Sequence, residues 1–372
     1  MTGPVVLTGG GTGGHVFPLR AIADALLASG VERDRLVIVG SARGQERALL
    51  GDLGVELVLL PGRGLRRDVS PRAVVTNVAA VGGLLVAAVR GVWLVIRRRP
   101  AVVVSVGGYA AFAAAAGAVA SARPLVLVDL DATEGLVHRA LHPFAVGITS
   151  AFPSAERRVV LTGAPVRAEL IGVERSDAAR EAARDALGIA RAGTVVAVVT
   201  GSLGAASVND AVGDLAERWR DRDGVLLYHV TGRRDHATVE TRRVASGIEP
   251  TRWRVVEFEH QMAAVYAACD LAVTRAGATT VAELCATGTP SVVVPLPGAP
   301  GDHQGANARE LERVGAAVVL QDAAVSAVTL DATLSALLDD PGRLATMSAA
   351  ARGLGRPDAA DQIAEVVLAR AR

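Results

Sequence analysis

Short apolar runs alternate with segments of helical period along the whole chain, and glycines gather where the runs end. The runs at 5–7, 36–39, 125–128, 194–200, 271–274 and 291–295 are rich in valine and leucine and contain no charge. Such runs mark strands buried on both faces. Between them apolar positions recur with helical spacing, as at Ile22, Ala25 and Leu26 in the segment that starts near Pro18. Strand and helix in alternation predict an α/β chain with parallel sheets covered by helices on both faces. The pattern restarts near residue 195, so two doubly wound units are expected, each opened by a glycine-bearing strand-to-helix loop. Ligands of open α/β sheets bind at the carboxyl ends of strands, which places both loops at an expected cleft. The expected domains are 1–165, 166–345, and a terminal helical piece, 346–372, that crosses back to the first.

Two segments interrupt this rhythm. Residues 78–96 are nearly all apolar apart from Arg90, and Arg97, Arg98 and Arg99 follow. The length would suit a membrane span, but Gly82, Gly83, Gly91 and Arg90 weaken that reading, as does the Rossmann-like pattern on both sides. A buried helix is slightly favoured on the segment alone. The other reading is a half-exposed helix whose apolar face dips into a membrane. Arg63, Arg66, Arg67 and Arg72 upstream, together with Trp93, support it. The arginine- and aspartate-rich segment 175–184 reads as a solvated helix.

The loop after the first run holds Gly9, Gly10, Gly11, Gly13 and Gly14, with His15 as its one ionisable side chain. Glycines let a backbone approach a ligand, and a helix start offers N–H groups and a positive dipole end. In that setting His15 is a candidate general base. Gly9, Gly11 and Gly14 fit the dinucleotide fingerprint G-x-G-x-x-G. The second run ends in Gly40-Ser41-Ala42, however, without the acid that would hold a ribose. A phosphate P-loop needs Gly-Lys-Ser/Thr, and this loop has no lysine. The loop of a nucleotide-sugar transferase remains, with a tight turn beside a helix cap as the plain alternative.

The second half repeats the device. Gly201-Ser202-Leu203-Gly204 follows one run, and Arg275-Ala276-Gly277-Ala278-Thr279-Thr280-Val281-Ala282-Glu283 follows another. The N–H groups of Ala278, Thr279 and Thr280 could bind phosphate, and Glu283 could accept both hydroxyls of a ribose. Thr280-x-x-Glu283 is equally a capping box. His303, Gln304 and Asn307 lie near the next strand end, where neutral donors and acceptors suit sugar hydroxyls. Their alternative is a helix capped by Asp302.

The chain has 39 basic and 38 acidic residues, a net charge of +1, which excludes a broadly basic nucleic-acid binder. Cys269 and Cys285 are its two cysteines, and both read as small core residues of a reduced, cytoplasmic protein. No charged-then-apolar signal precedes the first run.

Taken in order, six segments resemble the MurG family, the peptidoglycan transferases that add N-acetylglucosamine to lipid I to make lipid II. They are the loop from Gly9 to Pro18, Ser105-Val106-Gly107-Gly108-Tyr109, Gly163-Ala164-Pro165-Val166-Arg167, Gly201 to Ala205, Arg275 to Glu283, and His303-Gln304 to Asn307-Ala308. The resemblance implies a GT-B fold, an inverting transfer from UDP-N-acetylglucosamine, and an undecaprenyl-linked acceptor. It also implies a peripheral place on anionic lipid at the cytoplasmic face of the bacterial inner membrane, and it turns 78–97 toward the membrane reading. UDP-N-acetylglucosamine is a substrate, so no cofactor is implied, and no metal.

Carried over, Glu283 should hold the ribose and Ala278, Thr279 and Thr280 the phosphates. Gln304, with His303 beside it, should meet the donor sugar. Arg167 and Ser202 should reach the diphosphate, and the backbone at Phe258 and Glu259 the uracil. Thr12, Gly13, Gly14 and His15 should face the acceptor. Three positions depart from the family. Its Glu-Gln-Asn reads Asp129-Leu130-Asp131, its Ser-Gln-Gly-Ala reads Ser202-Leu203-Gly204-Ala205, and its Gly-Asn-Pro reads Gly163-Ala164-Pro165. Asp131 is therefore a rival to His15 as base. Asp129-x-Asp131 also imitates the metal-binding Asp-x-Asp of another transferase fold, in the wrong surroundings. The alternatives kept open are a transferase with another lipid or small-molecule acceptor, and a weakly active nucleotide-sugar-binding paralogue at the membrane.

Overall fold

The computed structural model describes residues 3–10, 13–42, 45–61, 71–108 and 111–372, without the side chains of 71–81, 84, 85 and 300. Two compact units account for the chain, Met1–Arg167 joined by Arg356–Arg372, and Ala168–Gly355.

The first unit is built on β1 (Val5–Thr8), β2 (Leu36–Ser41), β3 (Glu56–Leu60), β4 (Val102–Ser105), β5 (Leu125–Asp129), β6 (Gly147–Ser150) and β7 (Val159–Leu161), in the order 3-2-1-4-5-6-7. The second is built on β8 (Thr194–Val199), β9 (Val225–Val230), β10 (Trp253–Val256), β11 (Leu271–Thr274), β12 (Ser291–Val293) and β13 (Ala317–Val319), in the order 10-9-8-11-12-13. Counted from its own first strand, each sheet begins 3-2-1-4-5-6, the doubly wound order. The strand pairings are parallel. Val5 pairs with Leu36 on one side and Val102 on the other, and Val196 pairs with Leu227 and Leu271 in the same way. The strand order therefore reverses between β1 and β4, and between β8 and β11. Those two switch points are where such sheets bind ligands.

The apolar runs are strands because both their faces are covered. Val6, Val37, Val103 and Leu125 are buried in one core, and Val196, Val198, Leu227 and Trp253 in the other. The first helix, Gly13–Ala28, buries Val16, Leu19, Ile22 and Leu26 and takes His15 into its first turn. It therefore starts earlier than the apolar pattern from Pro18 suggests. Pro18 lies near enough to the helix start to cost few backbone bonds.

Over its described side chains, from residue 82 onward, the long helix Pro71–Arg98 is half exposed, which corrects the slight preference for a buried one. Ala87, Leu94 and Val95 are buried, whereas Val86, Val89, Trp93 and Ile96 are exposed, Val89 by 70% and Trp93 by 61%. Arg97 lies over the Trp93 ring, 5.5 Å from its centroid. Gly91 does not break the helix. It permits close packing on the alanine-rich helix Ala111–Ala120, since a Cβ there would fall 2.6 Å from Cβ of Ala113. Among the described residues no helix is long and apolar enough to cross a membrane.

The helix Asp177–Ala186 is not simply solvated, contrary to its composition. Arg184 is buried and donates to the carbonyls of Ala268, Arg191 and Gly193 and to Asp270. Just before the helix, Arg175 donates to the carbonyls of Tyr266 and Cys269. These guanidinium forks satisfy chain ends that a helix and strand leave open. Both cysteines are buried free thiols, and burial pushes both above the usual thiol range, Cys285 to about 12.

Candidate active site

In the first unit the glycine loop leaves β1 at the switch point and is wedged between two neighbours. On one side a Cβ on Gly9 would fall 2.2 Å from Val106 Cγ2, and one on Gly108 would fall 2.9 Å from the Gly10 carbonyl oxygen. On the other side Glu46 is fully buried, and a Cβ on Gly10 (φ +123°) would fall 2.1 Å from its Oε1. Only glycine fits at Gly10, for space and for backbone conformation together. Glu46 Oε1 accepts from the Ser41 N–H at 2.8 Å. An acid thus does lie beside the end of β2, but it holds backbone.

His15 lies along the turn after β4. Its ring atoms come 3.5 Å from a Cβ placed on Gly108 and 3.7 Å from one placed on Gly107. Beneath that turn runs a buried chain that the sequence did not reveal. His138 donates from Nδ1 to Asp129 Oδ1 at 2.5 Å, and its Nε2 is 2.9 Å from Ser105 Oγ. Asp129 is committed to this histidine, which leaves Asp129 and Asp131 poorly suited to share a cation. Asp131 lies in the loop after β5, partly buried. Arg167 is stacked on the Phe17 ring, 4.7 Å from its centroid. Gly13 and Gly14 form the start of the first helix, and Thr12 and Tyr109 lie outside the described residues.

In the second unit the helix Ala278–Thr287 leaves β11 at the other switch point. Its N-cap is Gly277, with no side-chain cap bond. Thr280 is therefore the third residue of the helix, and the capping-box alternative for Thr280 and Glu283 fails. Ala278, Thr279 and Thr280 occupy the first turn, and Val281 N–H bonds back to Gly277. The N–H groups of that turn point out of the helix start. Glu283 is buried and accepts from Tyr266 Oη at 3.0 Å.

Gln304 is pinned where it can serve the same point. Its Oε1 accepts from the Leu296 N–H at 2.9 Å, and its Nε2 lies 3.9 Å from a Cβ placed on Gly277. Asn307 Nδ2 donates to the Ala276 carbonyl at 3.0 Å. His303 is partly buried beside them, at the start of the helix His303–Arg313. Asp302 (φ +52°) makes no cap bond and instead pairs with Arg309, so the capping alternative fails here too.

Arg275 ties the strand ends together. It donates to the carbonyls of Val294 and Pro295, to Asp322 Oδ1 at 2.6 Å and to Ser207 Oγ at 3.0 Å. Burial opposes ionisation of Asp322, but the bonds from Ser207 and Arg275 hold its carboxyl below the usual range. Ser202 and Leu203 lie in the glycine loop, Leu203 with 69% of its surface exposed. Glu259 is held by Tyr228 Oη at 2.6 Å and the Gln261 N–H at 2.7 Å. Phe258 packs against His260 and Arg233.

The model described as the glycosyltransferase family 28 N-terminal domain matches residues 5–150, and that described as the family 28 C-terminal domain matches 195–363. A Salinibacter ruber protein named UDP-N-acetylglucosamine–N-acetylmuramyl-(pentapeptide) pyrophosphoryl-undecaprenol N-acetylglucosamine transferase is 39% identical, over 99% of this chain and 96% of its own. Its namesake from Desulforudis audaxviator is 36% identical, over 98% and 97%. Among solved structures, MurG of Acinetobacter baumannii aligns with a TM-score of 0.74 at 26% identity, over 99% of each chain. The glycosyltransferase of kitacinnamycin aligns at 0.71 and 17% identity, a likeness of fold alone. Two Rossmann-like domains with glycine turns at their switch points, and these matches, define a glycosyltransferase of the GT-B fold. The chain belongs to the MurG family.

Proposed function

We propose that this protein moves N-acetylglucosamine from UDP-N-acetylglucosamine to lipid I, forming lipid II with inversion at the anomeric carbon. The observation that carries the reading is the cluster at the second switch point, where a glycine-capped helix start, Glu283 and Gln304 lie together in a chain aligned end to end with transferases of that name. In this reading the first turn at Ala278 to Thr280 holds the phosphates, as helix starts hold anions. Glu283 accepts the ribose hydroxyls, the backbone at Phe258 and Glu259 meets the uracil, and Gln304 and His303 meet the donor sugar. Arg167 and Ser202 neutralise and bind the diphosphate.

The attacking hydroxyl of the acceptor forms a bond to the anomeric carbon as the bond to UDP breaks on the opposite face. His15 takes the hydroxyl proton. Asp131 is the rival for that role. The exposed face of the helix Pro71–Arg98, apolar with Arg90 and Arg97 around it, suits the protein to lie on anionic lipid at the cytoplasmic face of the inner membrane, where the undecaprenyl-linked acceptor is anchored.

The test is transfer from labelled UDP-N-acetylglucosamine to a lipid I analogue, corrected for hydrolysis. A labelled lipid product is expected. UDP release without a lipid product would point to another acceptor, and binding without turnover to a paralogue that only binds.

A further inference from the structure

Gly107 (φ +89°) and Gly108 (φ +82°) form two successive left-handed residues, and His15 lies on them. A turn of two glycines has no side chain of its own to hold it. The hold comes from below. Ser105 ends β4 two residues earlier, Asp129 ends β5, and His138 on the helix Leu136–Leu141 spans them with both ring nitrogens, at 2.9 and 2.5 Å. All three side chains are buried. The same His138 ring reaches the turn itself. A Cβ placed on Gly107 would lie 3.7 Å from His138 Cε1 and 3.7 Å from His15 Nε2, so the two imidazoles border one methyl-sized space.

We propose that His138, locked by Asp129 and Ser105, is the positioning residue for His15, an inference that rests on His15 as the base. With both nitrogens committed, His138 is poorly placed to take the proton of a hydroxyl itself. Its action is on where the Gly107–Gly108 turn lies, and through it on the tilt of the His15 ring toward the acceptor. Supporting bonds of this kind decide whether a catalytic group is held within a productive range or is present but loose.

The experiment is a double-mutant cycle on the full-length protein with UDP-N-acetylglucosamine and a lipid I analogue. His138→Ala should lower kcat at least about tenfold, with KM for UDP-N-acetylglucosamine moved by less than about twofold. In a His15→Ala background the same change should lower the residual kcat by less than about twofold, because its route of action is gone. Equal losses in both backgrounds, or an unchanged kcat in His138→Ala, overturn the proposal. If His138→Ala does not fold, Ser105→Ala, which removes one hydroxyl from the chain, runs the same cycle with an expected loss of about threefold, judged by the same two outcomes. His15→Ala turning over as fast as the parent would sink the base assignment itself. An impaired His15→Ala beside a fully active His138→Ala would sink only the positioning role.

Discussion

Each unit supports a glycine turn through a chain of bonds that includes a buried histidine, and the two histidines keep different company. In the second unit His229 Nε2 donates to Asn209 Oδ1 at 2.9 Å, and its Nδ1 accepts from Trp253 Nε1 at 3.3 Å. Asn209 in turn donates to Asp235, whose carboxylate closes on Gly204, 2.5 Å from where a Cβ would be. Burial among neutral partners pushes His229 down to about 3, so it stays uncharged at neutral pH. In the first unit the histidine itself bonds a carboxylate, Asp129, with no neutral side chain between them, and it borders a second imidazole, His15. The scaffold is the same, and the partners differ. In the proposed reading one histidine keeps a donor-side loop in shape, and the other supports the turn on which the base lies.

If that contrast is right, damage in the first unit should strike turnover and damage in the second should strike grip. The largest effect is expected from His15→Ala, a loss of about 10²–10⁴-fold in kcat with UDP affinity nearly unchanged and a flattened acidic limb of the pH–rate profile. Asp131→Asn should leave activity intact. The reverse pair of results would move the base to Asp131. Glu283→Ala should weaken UDP binding by about 1.5–3 kcal/mol in calorimetry, because a ribose would lose a charged acceptor. The fold should survive, since Gly277 already caps that helix. An unchanged affinity with a lower melting temperature would make Glu283 structural only.

His229 sharpens the contrast through pH. Its folded-state value, about 3, is depressed from 6.5, so as pH falls through 6.5 the unfolded chain takes up a proton that the folded one refuses. Its contribution is complete above pH 6.5 and shrinks by roughly 1.4 kcal/mol per unit toward pH 3. Denaturant midpoints should therefore show the parent's advantage over His229→Gln shrinking by roughly 2 kcal/mol between pH 6.5 and pH 5. A constant gap would break the argument. The smallest effect concerns the membrane side of the first unit. Arg97→Gln should weaken binding to anionic vesicles by about 1 kcal/mol, and less at high salt. Equal binding to neutral vesicles at any salt would remove the electrostatic part.

The two switch points were legible in the sequence because each is a local event, an apolar run that ends in glycine and feeds a helix. Glu283 and Gln304 came with those events. His138 did not. It sits in Val137-His138-Arg139 without a motif, and its partners lie 9 and 33 residues away, so only the parallel pairing of β4 with β5 joins them. Glu46 was hidden for a related reason, since its carboxylate turns back to a strand end five residues earlier. Arg184 was misjudged because charge predicts exposure, and a guanidinium with four acceptors around it escapes that rule. The helix Pro71–Arg98 shows a further limit. Apolar content cannot say which face meets protein, and here Gly91 and the alanines of its neighbour decide it.

The first unit is closed by the last helix, Ala359–Arg370, which buries Ile363, Ala364 and Val367, with Val366 against Gly147. On the ribosome those residues emerge after the whole of the second unit. The second unit, continuous in sequence, can complete itself while the nascent chain is still tethered. The first must wait with the cover of β6 missing and apolar surface open. A chain stalled or clipped before residue 356 would thus carry a finished second unit beside an unfinished first one, a species for quality control to remove.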